Sequence, residues 1–100
     1  MDLKARIENI CRNIYDPEIP VNIYDLGLIY DIETFENGNV RIIMTLTTPN
    51  CPVAESLPNE IKENVSMLEG VTEVELKLTF DPPWNKDMLS EEAMLELGLL

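Results

Sequence analysis

At 100 residues, 45% hydrophobic and 26% charged, the chain suits one globular domain over 1–100 with a single core, and excludes wholesale disorder. A formal charge of −12, with seven Lys and Arg scattered from Lys4 to Lys86, argues against nucleic acid, because no basic patch is visible to meet phosphates. No apolar run approaches the roughly 20 residues a bilayer span needs, and two cysteines without histidine make no disulfide scaffold, so a cytoplasmic chain with reduced thiols is expected.

The first element reads as a helix. Leu3, Ile7, Ile10, Cys11 and Ile14 recur at helical spacing, and Asp2 is placed to cap it. Cys11 lies on that apolar stripe and packs as a small hydrophobe. The segment "YDPEIPVNIYDLG", residues 15–27, holds two prolines and a glycine, which forbid a long regular element. Its apolar Ile19, Val21, Ile23 and Leu26 predict an ordered loop pinned to the core, carrying the carboxylates Asp16, Glu18 and Asp25.

Residues 28–35 and 39–47 alternate as strands. A two-residue Asn-Gly hairpin would mix their apolar and polar faces. A three-residue loop, Glu36–Asn37–Gly38, instead sets Leu28 opposite Leu46, Tyr30 opposite Met44 and Ile32 opposite Ile42, with Gly38 in the left-handed position.

Helical spacing returns over 52–68 through Val53, Leu57, Ile61, Val65 and Leu68. Pro52 suits a first helical position, Pro58 predicts a kink or a short turn before a second run, and Gly70 ends the helix. "VTEVELKLTF" then alternates, with Val74, Leu76, Leu78 and Phe80 on the buried face. After "DPPW", a short helix begins at the cap Ser90, with Glu91 and Glu92 in its first turn, a Leu89–Met94 staple and a stop at Gly98.

The order α-β-β-α-β-α predicts an α/β (α+β) two-layer sandwich, a three-stranded mixed sheet with helices packed on one face. A right-handed crossover between strands two and three makes them parallel, while strand one runs the other way. Three segments therefore converge at one sheet edge: the loop with Asp16, Glu18 and Asp25; "TTPNC" with Thr47, Thr48 and Cys51; and "DPPW" with Asp81 and Trp84. Ligands favour such edges, outside the carboxyl ends of strands.

Each of these residues also has a plain structural reading. Asp16 before Pro17, and Asp81 before Pro82, are ordinary turn chemistry. Thr47 and Thr48 serve a sheet as well as a site, and Trp84 either covers the core edge or meets a partner. Cys51 is the sharpest candidate. It sits at or just before a helix N-terminus, which favours thiolate, although nearby carboxylates oppose that. The alternative is a cysteine filling a cap pocket.

Without histidine, a Cys–His nucleophile pair is excluded, and a thiol enzyme would need an Asp, Glu or Lys to activate it. Without CxxC, neither a dithiol redox motif nor a zinc ribbon forms. A stable iron–sulfur cluster normally takes four thiolates, and one chain offers a single plausible ligand. A symmetric dimer with Cys51 near its axis offers two and leaves positions open, which suits transient holding or transfer.

"DPEIPVNIYDLGLIY", "LTTPNCP" and "GVTEVELKLTFDPPW", followed by "MLSEEA", together resemble the iron–sulfur cluster assembly domain family that includes SufT and PaaD-like proteins. The likeness runs in order over nearly the whole chain. It implies the α/β fold above and an accessory role, without turnover chemistry, in loading clusters onto apo-proteins. It carries Cys51 over as the functional residue, with Asp16 and Thr48 beside it. The implied cofactor is a transient iron–sulfur cluster, possible homodimer bridging included, and the implied partners are assembly proteins and apo-clients, with no nucleic acid and no membrane. PaaD-like members often add a cysteine-rich C-terminal portion, so an end at Leu100 points to the short SufT type. The alternative is a metal-free adaptor that docks assembly machinery onto clients through Trp84.

Overall fold

The computed structural model describes residues 2–16, 19–46 and 56–98. Its elements are α1 (Leu3–Cys11), β1 (Ile29–Thr34), β2 (Asn39–Met44), α2 (Ser56–Ser66), β3 (Glu73–Leu78), a 3-10 turn (Lys86–Met88) and α3 (Glu91–Glu96). The sheet order is β1-β2-β3, with β1 antiparallel and β3 parallel to β2, as the crossover argument requires.

Asp2 caps α1 by accepting the Ala5 N–H at 2.8 Å. The helix stops sooner than its apolar spacing suggests. Ile14 lies beyond it and is buried because its carbonyl accepts the Ile23 N–H at 2.8 Å, which folds the following loop back onto the helix end. That loop is pinned as expected, with Ile23 and Leu26 fully buried.

The β1–β2 hairpin has the three-residue loop. Phe35 donates to the Asn39 carbonyl, Gly38 takes φ +87°, and Ile32 stands opposite Ile42. Toward the start of β1 the expected register fails. Ile29, not Tyr30, faces Met44, because a bulge between Ile29 and Asp31 inserts one residue. Leu28 in turn accepts from Thr45 at 2.8 Å rather than pairing with Leu46. The bulge frees the Tyr30 hydroxyl to donate to the Pro82 carbonyl at 2.6 Å.

Residues 52–55 of the expected second helix lie outside the described residues. Within α2, Pro58 falls in the first described turn and Leu57, Ile61 and Val65 face the core. The helix ends at Ser66, ahead of Gly70, which instead turns the chain into β3 at φ +93°. Phe80 departs from the buried face predicted for it: β3 ends at Leu78, and Phe80 is exposed.

Ser90 caps α3 through its hydroxyl, which accepts the Ala93 N–H at 3.1 Å, and Leu89 and Met94 both join the core cluster. Ile7 and Cys11 of α1, Ile32, Val40, Ile42 and Met44 of the sheet, and the α2 row form one core between helices and sheet. Each large aliphatic side chain sealed there contributes roughly 1.5–3 kcal/mol.

Candidate functional site

Three segments were expected at one sheet edge, and the described residues bring two of them together. Trp84 reaches across to the loop and donates its Nε1–H to the Leu26 carbonyl at 2.7 Å. Tyr30 holds the Pro82 carbonyl, and the Ser90 N–H donates to the Asp25 carbonyl at 2.9 Å. The loop before β1 and the chain after β3 are thereby bolted side by side at the end where β2 and β3 finish. The third segment, with Thr47, Thr48 and Cys51, lies outside the described residues, and so does Glu18.

The carboxylates differ in what they do. Asp16 is buried, and its Oδ1 accepts the Ile19 N–H at 3.2 Å, so it organises the turn that follows it. Asp25 exchanges bonds with Asn22: the Asn22 side-chain NH2 donates to Asp25 Oδ2 at 2.7 Å, and the Asp25 N–H donates to Asn22 Oδ1 at 2.9 Å. Asp81 is exposed, and the Thr79 hydroxyl brackets its backbone. Trp84 is half-buried against the core with its only donor occupied, so it covers the core edge.

Two positioning residues escaped the sequence reading. Asn22 closes an Asx turn on Asp25, a pairing that the N-x-x-D spacing could have revealed. Tyr30 acts across 52 positions of sequence, with no local signal.

On the other flank of the loop, Tyr24 donates its hydroxyl to Glu8 at 2.9 Å while the Arg12 guanidinium lies 4.4 Å from the ring centroid. The Glu8 hydrogen bond holds the Tyr24 phenol above its ordinary value, and desolvation and the Glu8 charge add to this. Cys11, one helical turn from Glu8, is sealed in the core; burial, then the Glu8 charge, pushes its thiol up to about 12. With no exposed surface, the Cys11 sulfur is out of reach of a reagent or a metal in the folded chain. Among the described residues, no group of three or more His, Cys, Asp or Glu is close enough to hold a metal ion. No described helix is long and apolar enough to cross a membrane.

The fold and its edge thus define a small mixed α/β domain with a cysteine-bearing connection between β2 and α2. The chain belongs to the iron–sulfur cluster assembly protein family, whose model matches residues 4–76. It is 54% identical to an Fe-S protein maturation auxiliary factor of Porphyromonas gingivalis, over 94% of this chain and 90% of the relative. It is 37% identical to the Fe-S protein maturation auxiliary factor YitW of Bacillus subtilis, over 97% and 95%. Its fold superposes with a TM-score of 0.91 on a crystal structure of a domain of unknown function, DUF59, from Bacillus anthracis, at 33% identity over 98% of this chain and 93% of that one.

Proposed function

We propose that this chain is an accessory factor in iron–sulfur protein maturation, acting in the cytoplasm without turnover chemistry, and that Cys51 is the thiolate by which it handles its cargo. The observation that carries the assignment to Cys51 is the state of the other thiol. Of two cysteines, Cys11 is sealed in the core with its thiol raised to about 12, so cluster chemistry is left to Cys51. The family and the names of its relatives supply the class of cargo.

One thiolate is a quarter of the usual cluster ligand set, so the rest comes from a second copy, a small thiol or the receiving protein. Such partial coordination suits transfer, because a cargo held by one bond is released by exchange of that bond. Glu18, Thr47 and Thr48 belong to this reading as residues lining the site, Glu18 and Thr47 through the two motifs they share with the family and Thr48 as the neighbour of Thr47. Asp16, Asp25, Asp81 and Trp84 belong to it as the frame.

Anaerobic reconstitution with iron and sulfide tests this on wild type, Cys51→Ala and Cys11→Ala. Cys51→Ala is expected to lose iron and the visible cluster absorbance, while Cys11→Ala keeps both. Equal iron in wild type and Cys51→Ala removes Cys51 as a ligand. A metal-free adaptor would instead keep its partners after Cys51→Ser.

A further inference from the structure

The two edges of the sheet are finished differently. On β1, the bulge at Ile29/Asp31 breaks the ladder, and the Asp31 carboxylate accepts the Ile32 N–H at 2.9 Å. Bulges and side-chain caps of this kind block the approach of another strand. The β3 edge has neither. It is six regular residues, EVELKL, without proline, bulge or cap, and among the described residues no strand or loop pairs with its outer side.

The Thr79 N–H bonds to the Met44 carbonyl at 2.8 Å, which fixes the alternation along the parallel pair. Glu73, Glu75 and Lys77 turn their backbone groups to β2; Val74, Leu76 and Leu78 turn theirs outward. Meanwhile the side chains of Glu75 and Lys77 are exposed on the outer face, where Glu75 Oε2 accepts from Arg41 of β2 at 3.0 Å and its carboxylate stays open to solvent, and Val74, Leu76 and Leu78 lie on the core face.

This edge is complementary to itself. An antiparallel copy centred on Leu76 sets Glu75 opposite Lys77 of the second copy, and Lys77 opposite its Glu75. On the core face it sets Val74 opposite Leu78 and Leu76 opposite Leu76. Sliding the copy to centre on Glu75 would keep two ion pairs, Glu73 with Lys77, but would put two Glu75 carboxylates face to face, which disfavours that register. Val74 also lines an open groove of about 340 Å³ beside Lys62, Glu63 and Ser66 of α2, which leaves the opposing Leu78 somewhere to lie.

We infer that β3 is a self-association edge: two copies of this chain pair their β3 strands antiparallel about Leu76 into a continuous six-stranded sheet, with reciprocal Glu75–Lys77 ion pairs fixing the register. The pairing is weak and salt-sensitive, because each copy brings a net charge of −12 that is screened only beyond about 8–10 Å at moderate salt. It has a consequence for the function proposed above, although it stands independently of it. Antiparallel β3 strands put the carboxyl ends of β2, where the chain leaves toward Cys51, at opposite ends of the joint sheet.

Sedimentation equilibrium of the full chain at moderate salt, from about 10 μM to about 1 mM, spans the range in which small interfaces populate. Wild type is expected to form dimers in that range. Lys77→Glu and Glu75→Lys each place like charges opposite at two positions, and each alone is expected to weaken association roughly tenfold or more. An equimolar mixture of the two variants restores complementarity in a heterodimer and is expected to associate again. That rescue cannot come from misfolded chains, and circular dichroism of each variant checks the fold. A wild type that stays monomeric, variants that associate as wild type does, or a mixture that does not associate would each overturn the inference.

Discussion

Replacing Gly27 by alanine tests whether the loop before β1 and the turn after β3 are in the intimate contact on which the site's frame depends. Gly27 has φ +83°, and a Cβ there would fall on the Met88 carbonyl oxygen, with the Met88 Cβ only 2.9 Å away. A non-glycine residue in the left-handed region costs about 1–2 kcal/mol, and forcing the Met88 segment aside adds about 1–3 kcal/mol. Gly70 supplies the control, since its φ is +93° but nothing lies within 4 Å of an added Cβ. Gly70→Ala therefore carries the conformational cost alone. In a domain of this size each kcal/mol lowers Tm by roughly 4–8 °C, so Gly27→Ala is expected to lose roughly 8–40 °C and Gly70→Ala roughly 4–16 °C. Thermal unfolding followed by circular dichroism, with urea titration for the free energies, measures both. Equal losses at the two positions would refute the close approach of Met88.

Trp84→Phe removes the donor to the Leu26 carbonyl and is expected to destabilise by about 1–3 kcal/mol, read as a lower urea midpoint at unchanged slope. In the native protein at mildly alkaline pH, iodoacetamide is expected to label Cys51 and spare Cys11, and denaturant should expose both; native labelling of Cys11, read by peptide mass spectrometry, would contradict its sealed state. The Cys11 thiol is raised from 9.0 to about 12 on folding, so its protonated form contributes stability that is whole below pH 9 and fades between pH 9 and about 12. Tyr24 follows the same sign: its raised phenol favours the fold below the unfolded value, 10.0, and that contribution is lost as pH rises through the folded one. Ultraviolet titration of Glu8→Gln should show Tyr24 ionising at lower pH than in wild type.

The sheet was legible where local pattern and global packing agree. Alternation placed β2 and β3, and the conflict between faces chose the Glu36–Gly38 loop over a tighter one. The start of β1 was not legible, because a bulge there shifts the register, and the bond Tyr30 makes from it goes to the Pro82 carbonyl far along the chain. Alternation also ran past its physical limit at Phe80, beyond the last residue of β3 that lies beside β2. The end of α2 went the same way: Leu68 keeps the helical spacing, yet its N–H bonds to the Val65 carbonyl at 3.1 Å in a tighter turn, and the helix is over by then. At the candidate site, convergence of the loop with the Asp81–Trp84 segment followed from topology. The division of labour among its residues did not, because it depends on which backbone groups each side chain finds.

That division narrows the chemistry. Asp16 Oδ1 accepts the Ile19 N–H, Asp25 Oδ2 accepts from the Asn22 side-chain NH2, and Trp84 spends its indole donor on the Leu26 carbonyl, so each of the three has a polar atom committed to the frame. The bonds of Trp84, Tyr30 and Ser90 tie the loop before β1 to the segment after β3 at the carboxyl edge of the sheet. On the function proposed above, a rigid frame beside the receiving surface lowers the ordering cost of exchange with a receiving thiolate. If that function holds, disturbing the frame is expected to slow cluster transfer before it abolishes cluster binding, whereas Cys51→Ala is expected to abolish both. Transfer from reconstituted wild type and Trp84→Phe to an apo-ferredoxin separates the two effects. A Trp84→Phe protein that transfers at the wild-type rate would leave the loop with a purely folding role.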